Sequence, residues 1–262
     1  MNSSTVMKTL GAVLLAFAVS TPAVAQELKL GNEGTYPPFS ILGTDGSLSG
    51  LEPDLAREMC ARMGADCEIT AMDFSALLPS LISGKLDMIV SQLTPIPERL
   101  EATEFTIPVL LNPEGFVVPK GWDKGYDNAA MSGMRLGVYK GSSHAKYVET
   151  QLPDATPVYF ENNDEMLLDL KAGRINGVFG GKINWTTLLI DTPEGADWML
   201  SEPDFWAAGE KAGMSWAVQK GQMELVEKAN AALQSIIDDC TYTKIREKYL
   251  SIQLLEEESN CM

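Results

Sequence analysis

The sequence predicts an α/β protein of two lobes, each a mainly parallel sheet flanked by helices. Three observations predict it. The chain of 262 residues is long enough for one large or two small cores. Strand-like and helix-like segments alternate along it, which implies parallel sheets covered by helices. One pattern also occurs twice: Leu81-Ile82-Ser83-Gly84-Lys85-Leu86-Asp87-Met88-Ile89-Val90 and Leu170-Lys171-Ala172-Gly173-Arg174-Ile175-Asn176-Gly177-Val178-Phe179. Each copy ends an apolar-periodic segment (74–82 and 163–170) at a glycine suited to a helix C-terminus. A basic residue, an aliphatic, a turn-forming Asp or Asn and a short apolar run follow, as in a buried strand. Chance repetition of short helix-to-strand junctions is the competing explanation.

The other elements follow in order. Residues 28–31 read as a strand, 53–63 as a helix with Leu55, Met59 and Met63 along one stripe, and 67–71 as a strand. Residues 135–139 form a strand that runs through Gly141-Ser142-Ser143 into a helix over 144–151. Amphipathic helices over 222–239 and 242–249 close the chain. In such sheets a ligand sits beyond the carboxyl ends of the strands, which between two lobes means the cleft.

The first 25 residues read as an export signal. Lys8 is the only charge before Glu27, an apolar run covers 10–19, and Thr21-Pro22-Ala23-Val24-Ala25 offers a cleavage site before Gln26. The run is too short to cross about 30 Å of hydrocarbon at about 1.5 Å per residue. The mature chain keeps all 36 acidic residues and 19 of the 20 basic ones, since only Lys8 is lost. That balance argues against nucleic acid, whose phosphates require a basic face. Outside the cytoplasm four cysteines favour disulfides. Of three connectivities, Cys60–Cys67 and Cys240–Cys261 is preferred over the others and over four free thiols. The first would staple a helix end to the next strand, and the second would tie down the acidic tail Glu256-Glu257-Glu258. One histidine and no CxxC pair leave little for a metal site.

Five stretches carry a resemblance: Gly34-Thr35-Tyr36-Pro37-Pro38-Phe39, Gly50-Leu51-Glu52-Pro53-Asp54-Leu55, Asp73-Phe74-Ser75-Ala76-Leu77-Leu78-Pro79-Ser80-Leu81, Gly84-Lys85-Leu86-Asp87 and Gly137-Val138-Tyr139-Lys140-Gly141-Ser142. In this order, behind an export signal, the chain resembles the periplasmic solute-binding proteins of polar amino-acid ABC importers (family 3). The likeness is strongest to the lysine/arginine/ornithine-, histidine- and opine-binding members. Cys60 and Cys67 fall where the basic amino-acid binders have a disulfide. The resemblance implies a periplasmic-binding-protein fold, with residues 26–110 and 214–262 in lobe 1, residues 111–213 in lobe 2, and a two-strand hinge between them. It implies a monomer that closes on a small carboxylate solute and delivers it to a membrane ABC permease, without a cofactor, metal or nucleic acid.

The same resemblance supplies a ligand set. Ser91-Gln92-Leu93-Thr94 and Arg99 fall on the segment that binds the α-carboxylate, with Arg99 on the arginine that forks it. A guanidinium matches a carboxylate bidentately, and more strongly when desolvated; a surface Arg99 paired with Glu98 or Glu101 is the competing reading. Ser143, behind Gly141-Ser142, takes the position of a second carboxylate contact at a helix start, where a plain N-cap at Ser142 or Ser143 would also fit. Tyr36 and Phe74 match an aromatic pair that sandwiches the ligand side chain, although aromatics more often serve as core. Glu33 lies where binders of basic ligands place an acid, suited to a cationic far end. Tyr139 and His144 join the set from the second lobe, a lone histidine being more often a polar surface residue.

One position departs from the family pattern. An aspartate, or in opine binders an amide, receives the ligand's α-amino group there; this chain has Gly181, within Gly180-Gly181-Lys182. Gln92 also replaces a small hydroxyl residue. Both departures favour an opine-like or otherwise modified solute. The chief rival is a periplasmic enzyme of the same fold, cyclohexadienyl-dehydratase-like, for which Glu33, Glu52 and His144 are the candidate acids and bases. A ligand-sensing module is the third reading.

Overall fold

The computed structural model describes residues 27–208 and 213–261. The expected export signal, residues 1–25, lies outside them. No helix among the described residues is long and apolar enough to cross a membrane.

The first half of the chain builds β1 (Glu27–Asn32), a small antiparallel sheet of β2 (Thr35–Tyr36), β3 (Ser40–Leu42) and β4 (Leu48–Ser49), then α1 (Leu51–Met63), β5 (Asp66–Ala71), α2 (Phe74–Ile82), β6 (Met88–Leu93), α3 (Pro97–Ala102) and β7 (Thr103–Leu110). It continues through β8 (Glu114–Pro119), β9 (Arg135–Tyr139), α4 (Ser143–Gln151), β10 (Thr156–Phe160), α5 (Asn163–Lys171), β11 (Gly177–Gly181), α6 (Lys182–Trp185) and β12 (Trp198–Leu200). The chain ends with β13 (Met214–Gln219), α7 (Met223–Asp238), α8 (Thr241–Arg246) and a 3-10 turn, Glu256–Cys261.

Two five-stranded sheets result, ordered β5-β1-β6-β13-β7 and β10-β9-β11-β8-β12. In the first, β13 is antiparallel to both neighbours, so it alone runs against the other four strands. In the second, β8 is the reversed strand. Each sheet is therefore mainly parallel, as the alternation of elements predicts. The chain crosses from β7 to β8 and returns from β12 to β13.

Each sheet is covered on both faces. Leu55 and Met59 of α1 and Leu233 and Ile236 of α7 pack over Leu28 and Leu30 of β1. Leu77 and Leu81 of α2 cover Ile89 and Leu93 on the other face. In the second sheet Ala145 and Val148 of α4 lie with Phe116, Val118 and Phe179, whereas Met166 and Leu170 of α5 join the cluster holding Val117 and Val178. The alternation 116/117/118 and 178/179 is the period-two signature of strands buried on both faces.

The repeated pattern does the same physical work twice. Gly84 (φ 76°) and Gly173 (φ 68°) end their helices in the left-handed region, where a Cβ is penalised. The Asp87 carboxylate accepts the backbone N–H of Lys29 at 2.8 Å, and Asp87 N donates to Lys29 O at 2.8 Å. The Asn176 side chain accepts the N–H of Arg135 at 2.8 Å, and Asn176 N donates to Arg135 O at 2.8 Å. The turn-forming acid or amide thus clips the incoming strand to its parallel neighbour in each sheet. Chance repetition does not account for one hydrogen-bonding role in two places.

Both disulfides of the preferred connectivity are present, Cys60–Cys67 joining α1 to β5 and Cys240–Cys261 joining the start of α8 to the terminal turn. The end of the chain is more than an acidic tail. Glu258 is 1% exposed and accepts from Arg246 Nε at 2.9 Å and from the backbone N–H of Leu254 and Leu255 at 2.8 and 3.2 Å. A buried carboxylate so bonded anchors the segment instead of solvating it.

Candidate functional site

The carboxyl ends of β1, β6, β9 and β11 face one another across the cleft, as the strand directions demand. There the chain forms a small cavity of about 30 Å³, lined from both sides.

Arg99 lies at one end, buried at 5% exposure. Its Nη1 donates to Thr94 O and its Nη2 to Gly141 O, both at 3.0 Å, so the guanidinium spans the two halves. Among the described residues it has no carboxylate partner; Glu98 pairs with Lys146 instead, and the surface-pair reading of Arg99 does not hold. Burial lowers the Arg99 pKa to about 10, the mark of a charge stripped of water without a counter-ion. Beside it, Thr94 Oγ1 and Ser143 Oγ meet across the cleft at 3.1 Å. Ser142 is the true N-cap of α4: its Oγ accepts from Ala145 N at 3.1 Å, leaving Ser143 on the first turn with its hydroxyl in the cavity.

Aromatic rings form the walls. Arg99 Cζ stands 5.9 Å from the centroid of Phe74, a cation–π contact. Tyr139 meets Tyr36 edge-on at 5.5 Å and Phe74 edge-on at 6.1 Å between ring centroids. Its hydroxyl donates to Thr35 O at 3.0 Å, tying the second half to the first.

Glu33 lines the cavity, and Glu52 lies behind it, fully buried. Glu52 Oε1 accepts from Trp216 Nε1 at 3.2 Å, while Glu52 Oε2 and Glu33 Oε2 have no hydrogen-bond partner among the described residues. Burial raises the Glu33 carboxyl to about 7 and pushes Glu52 well up, the Glu33 charge adding to the latter. In the second half His144 is mostly buried, with 12% of its side chain exposed, and lines the cavity, against the expectation of a surface histidine. Burial, with Arg99 nearby, depresses it to about 4 and keeps it neutral. Its Nε2 sits 3.6 Å from Glu114 Oε1, and burial raises Glu114 to about 7.

Of the predicted ligand set, Glu33, Tyr36, Phe74, Gln92, Thr94, Arg99, Tyr139, Ser143 and His144 line this one cavity. Ser91, Leu93 and Gly181 do not. Side chains alternate along β6, so Ser91 turns to accept the Glu33 N–H at 3.0 Å and Leu93 joins the core with Leu77. Gly181 is covered: a Cβ built there would overlap the Asn112 amide and stand 2.8 Å from Tyr36 Oη and 2.9 Å from Asn184 Oδ1. With φ −63° Gly181 has no backbone reason to be glycine. Gly181→Ala is therefore expected to lower stability by about 2 kcal/mol through overpacking alone, read as a shift in the urea midpoint at constant slope.

Sequence reasoning missed Asn112 and Met214, which line the cavity, and Asn184 and Glu114 behind it. Asn112 follows an apolar strand and precedes Pro113, and that turn dipeptide was the available signal. Glu114 is an acid inside an apolar run, the commoner sign of a buried polar role.

Two helix-flanked, mainly parallel sheets closing over a polar cleft define the two-lobed periplasmic-binding-protein fold. The chain belongs to the bacterial extracellular solute-binding proteins, family 3, whose pattern it matches over residues 28–252. It is 33% identical over 248 residues to the ABC transporter arginine-binding protein 1 of Escherichia coli K12, covering 92% of this chain and 97% of that one. It is 30% identical to the histidine-binding periplasmic protein of Salmonella typhimurium LT2, covering 92% and 95%. Among solved structures, an ancestral arginine-binding protein bound to arginine aligns with a TM-score of 0.77 at 30% identity, covering 86% of this chain and 98% of that one.

Proposed function

We propose that this chain is the extracytoplasmic substrate-binding component of an ABC importer. It works in the periplasm, captures a carboxylate-bearing amino acid or amino-acid derivative by closure of its two lobes, and hands it to a membrane permease. Residues 26–110 and 214–262 form lobe 1 and residues 111–213 lobe 2. The observation that carries this reading is Arg99, a buried guanidinium held by a backbone carbonyl from each half beside two hydroxyls. An acid group placed there would supply the missing counter-charge. Glu33, with an unpartnered oxygen at the other end, favours a solute with a cationic far end. Relatives named for arginine and histidine support an amino-acid-like solute. Gly181, with amides where an acid would receive an α-amine, favours an opine-like or otherwise modified one.

Calorimetry against basic amino acids and their N-substituted and opine-type derivatives tests the reading. One-to-one binding of at least one basic acid, with the solute recovered unchanged by mass spectrometry, is the expected result. Chemical conversion of the bound solute would show a catalyst in place of a carrier.

A further inference from the structure

A chain of three side-chain amides, Asn184, Asn112 and Gln92, runs along one wall of the cleft, and its polarity is fixed by backbone groups at the first two. Asn184 Nδ2 donates at 2.8 Å to Pro37 O, a carbonyl that can only accept. Asn184 Oδ1 therefore faces inward and accepts from Asn112 Nδ2 at 3.0 Å. Asn112 Oδ1 accepts at 3.3 Å from the backbone N–H of Ile183, which can only donate, so Asn112 is fixed independently in the same sense. Asn112 Nδ2 also donates to Gln92 Oε1 at 3.0 Å. Reversing Gln92 would set two N–H groups against each other; reversing all three would set acceptor against acceptor at Pro37 and donor against donor at Ile183.

The chain leaves one group over. Among the described residues Gln92 Nε2 has no partner, although Gln92 lines the cavity and is only 8% exposed. A buried amide donor without an acceptor is costly, by about 1–3 kcal/mol, unless something entering the cleft satisfies it. Gln92 and Thr94 are two residues apart at the end of β6, on one side and about 7 Å apart along it, and both line the cavity, so this donor shares the wall that leads to the Arg99–Thr94–Ser143 end. An ammonium brought there would point N–H bonds and a positive charge at another N–H.

Taking the cleft as the solute site proposed above, we infer that Gln92 sets specificity. Its locked Nε2 donates to an oxygen beside the gripped carboxylate, so the site takes acids bearing a hydroxyl, oxo or acylamide oxygen in place of a free ammonium.

The probes are L-arginine and its 2-hydroxy analogue, identical except that a hydroxyl replaces the ammonium. Each is titrated calorimetrically into the full mature chain and its variants. The wild type is expected to bind the analogue at least about tenfold tighter than L-arginine. Gln92→Glu keeps the acceptor for Asn112 and turns the free donor into an acceptor; it is expected to move the ratio about a hundredfold toward L-arginine. Gln92→Met, close in shape but without the donor, is expected to weaken the analogue about tenfold and leave L-arginine no weaker. A wild-type preference for L-arginine, or a ratio that neither substitution moves, would overturn the inference; if Arg99→Met still weakened both probes, the acid-gripping reading would stand. Failure of both probes to bind the wild type would overturn the two together.

Discussion

Arg99→Met is expected to weaken solute binding about a thousandfold while leaving the ligand-free protein at least as stable as the wild type. The two halves of that expectation have one cause. The guanidinium is buried at 5% exposure, its only described acceptors are two neutral carbonyls, and burial lowers its pKa to about 10. Holding a desolvated charge without a counter-ion costs stability, and an apolar side chain of similar length removes that cost. A bound carboxylate reverses the account: the forked pair forms in a site of low dielectric, and losing one partner of such a pair costs about 4 kcal/mol, near a thousandfold in affinity. Arg99→Lys keeps the charge but not the fork, and is expected to fall between the two. Calorimetry gives the affinities and urea unfolding gives the stabilities. Unchanged affinity in Arg99→Met would remove the acid grip from the cleft.

The ligand-free chain is expected to be more stable at pH 5 than at pH 8, with Glu33 a principal source of the difference. Its carboxyl is raised to about 7 by burial, against about 4.5 unfolded. The folded chain thus holds this proton more tightly, and the associated stability is full below pH 4.5 and lost as pH rises through 7. At about 1.4 kcal/mol per unit, that loss is about 3 kcal/mol. Glu114, raised to about 7, acts in the same sense, and so does Glu52. His144 opposes them: depressed to about 4, it loses stability as pH falls from 6.5 toward 4, offsetting one of the three carboxyls. Urea midpoints of wild type and Glu33→Gln at both pH values decide the matter. The substitution should shrink the pH difference by about 3 kcal/mol, and an unaltered difference would show that Glu33 carries no buried proton.

Much of this architecture is legible in the sequence because it depends on local rules. The glycines at 84 and 173 and the Asp and Asn three residues later specify a helix end, a turn and a strand clip without help from distant residues. Arg99, Thr94 and Ser143 are legible as a set through motif order. Their burial is not, since Arg99 next to Glu98 reads as a surface pair until the second lobe covers it. Asn112 escapes notice for the same reason. Its role comes from Gln92 of β6 and from Ile183 and Asn184 of α6, elements far apart in the chain that meet only when it is folded. Glu258 is the sharpest case. Three successive glutamates look solvated, yet the third is enclosed because Arg246 and two backbone N–H groups converge on it. The reversal of β8 and β13 has no sequence signature either, because pairing direction depends on where the chain re-enters a sheet.

That re-entry has a consequence for biogenesis. β13 lies between β6 and β7, so the first sheet is split until residues 214–219 arrive, late in synthesis. The second sheet draws its five strands from one continuous stretch, residues 114–200, and can be finished earlier. During that interval the nascent chain carries two unzipped strand borders awaiting one missing ribbon, the kind of exposed edge that invites association between chains and that holding chaperones shield.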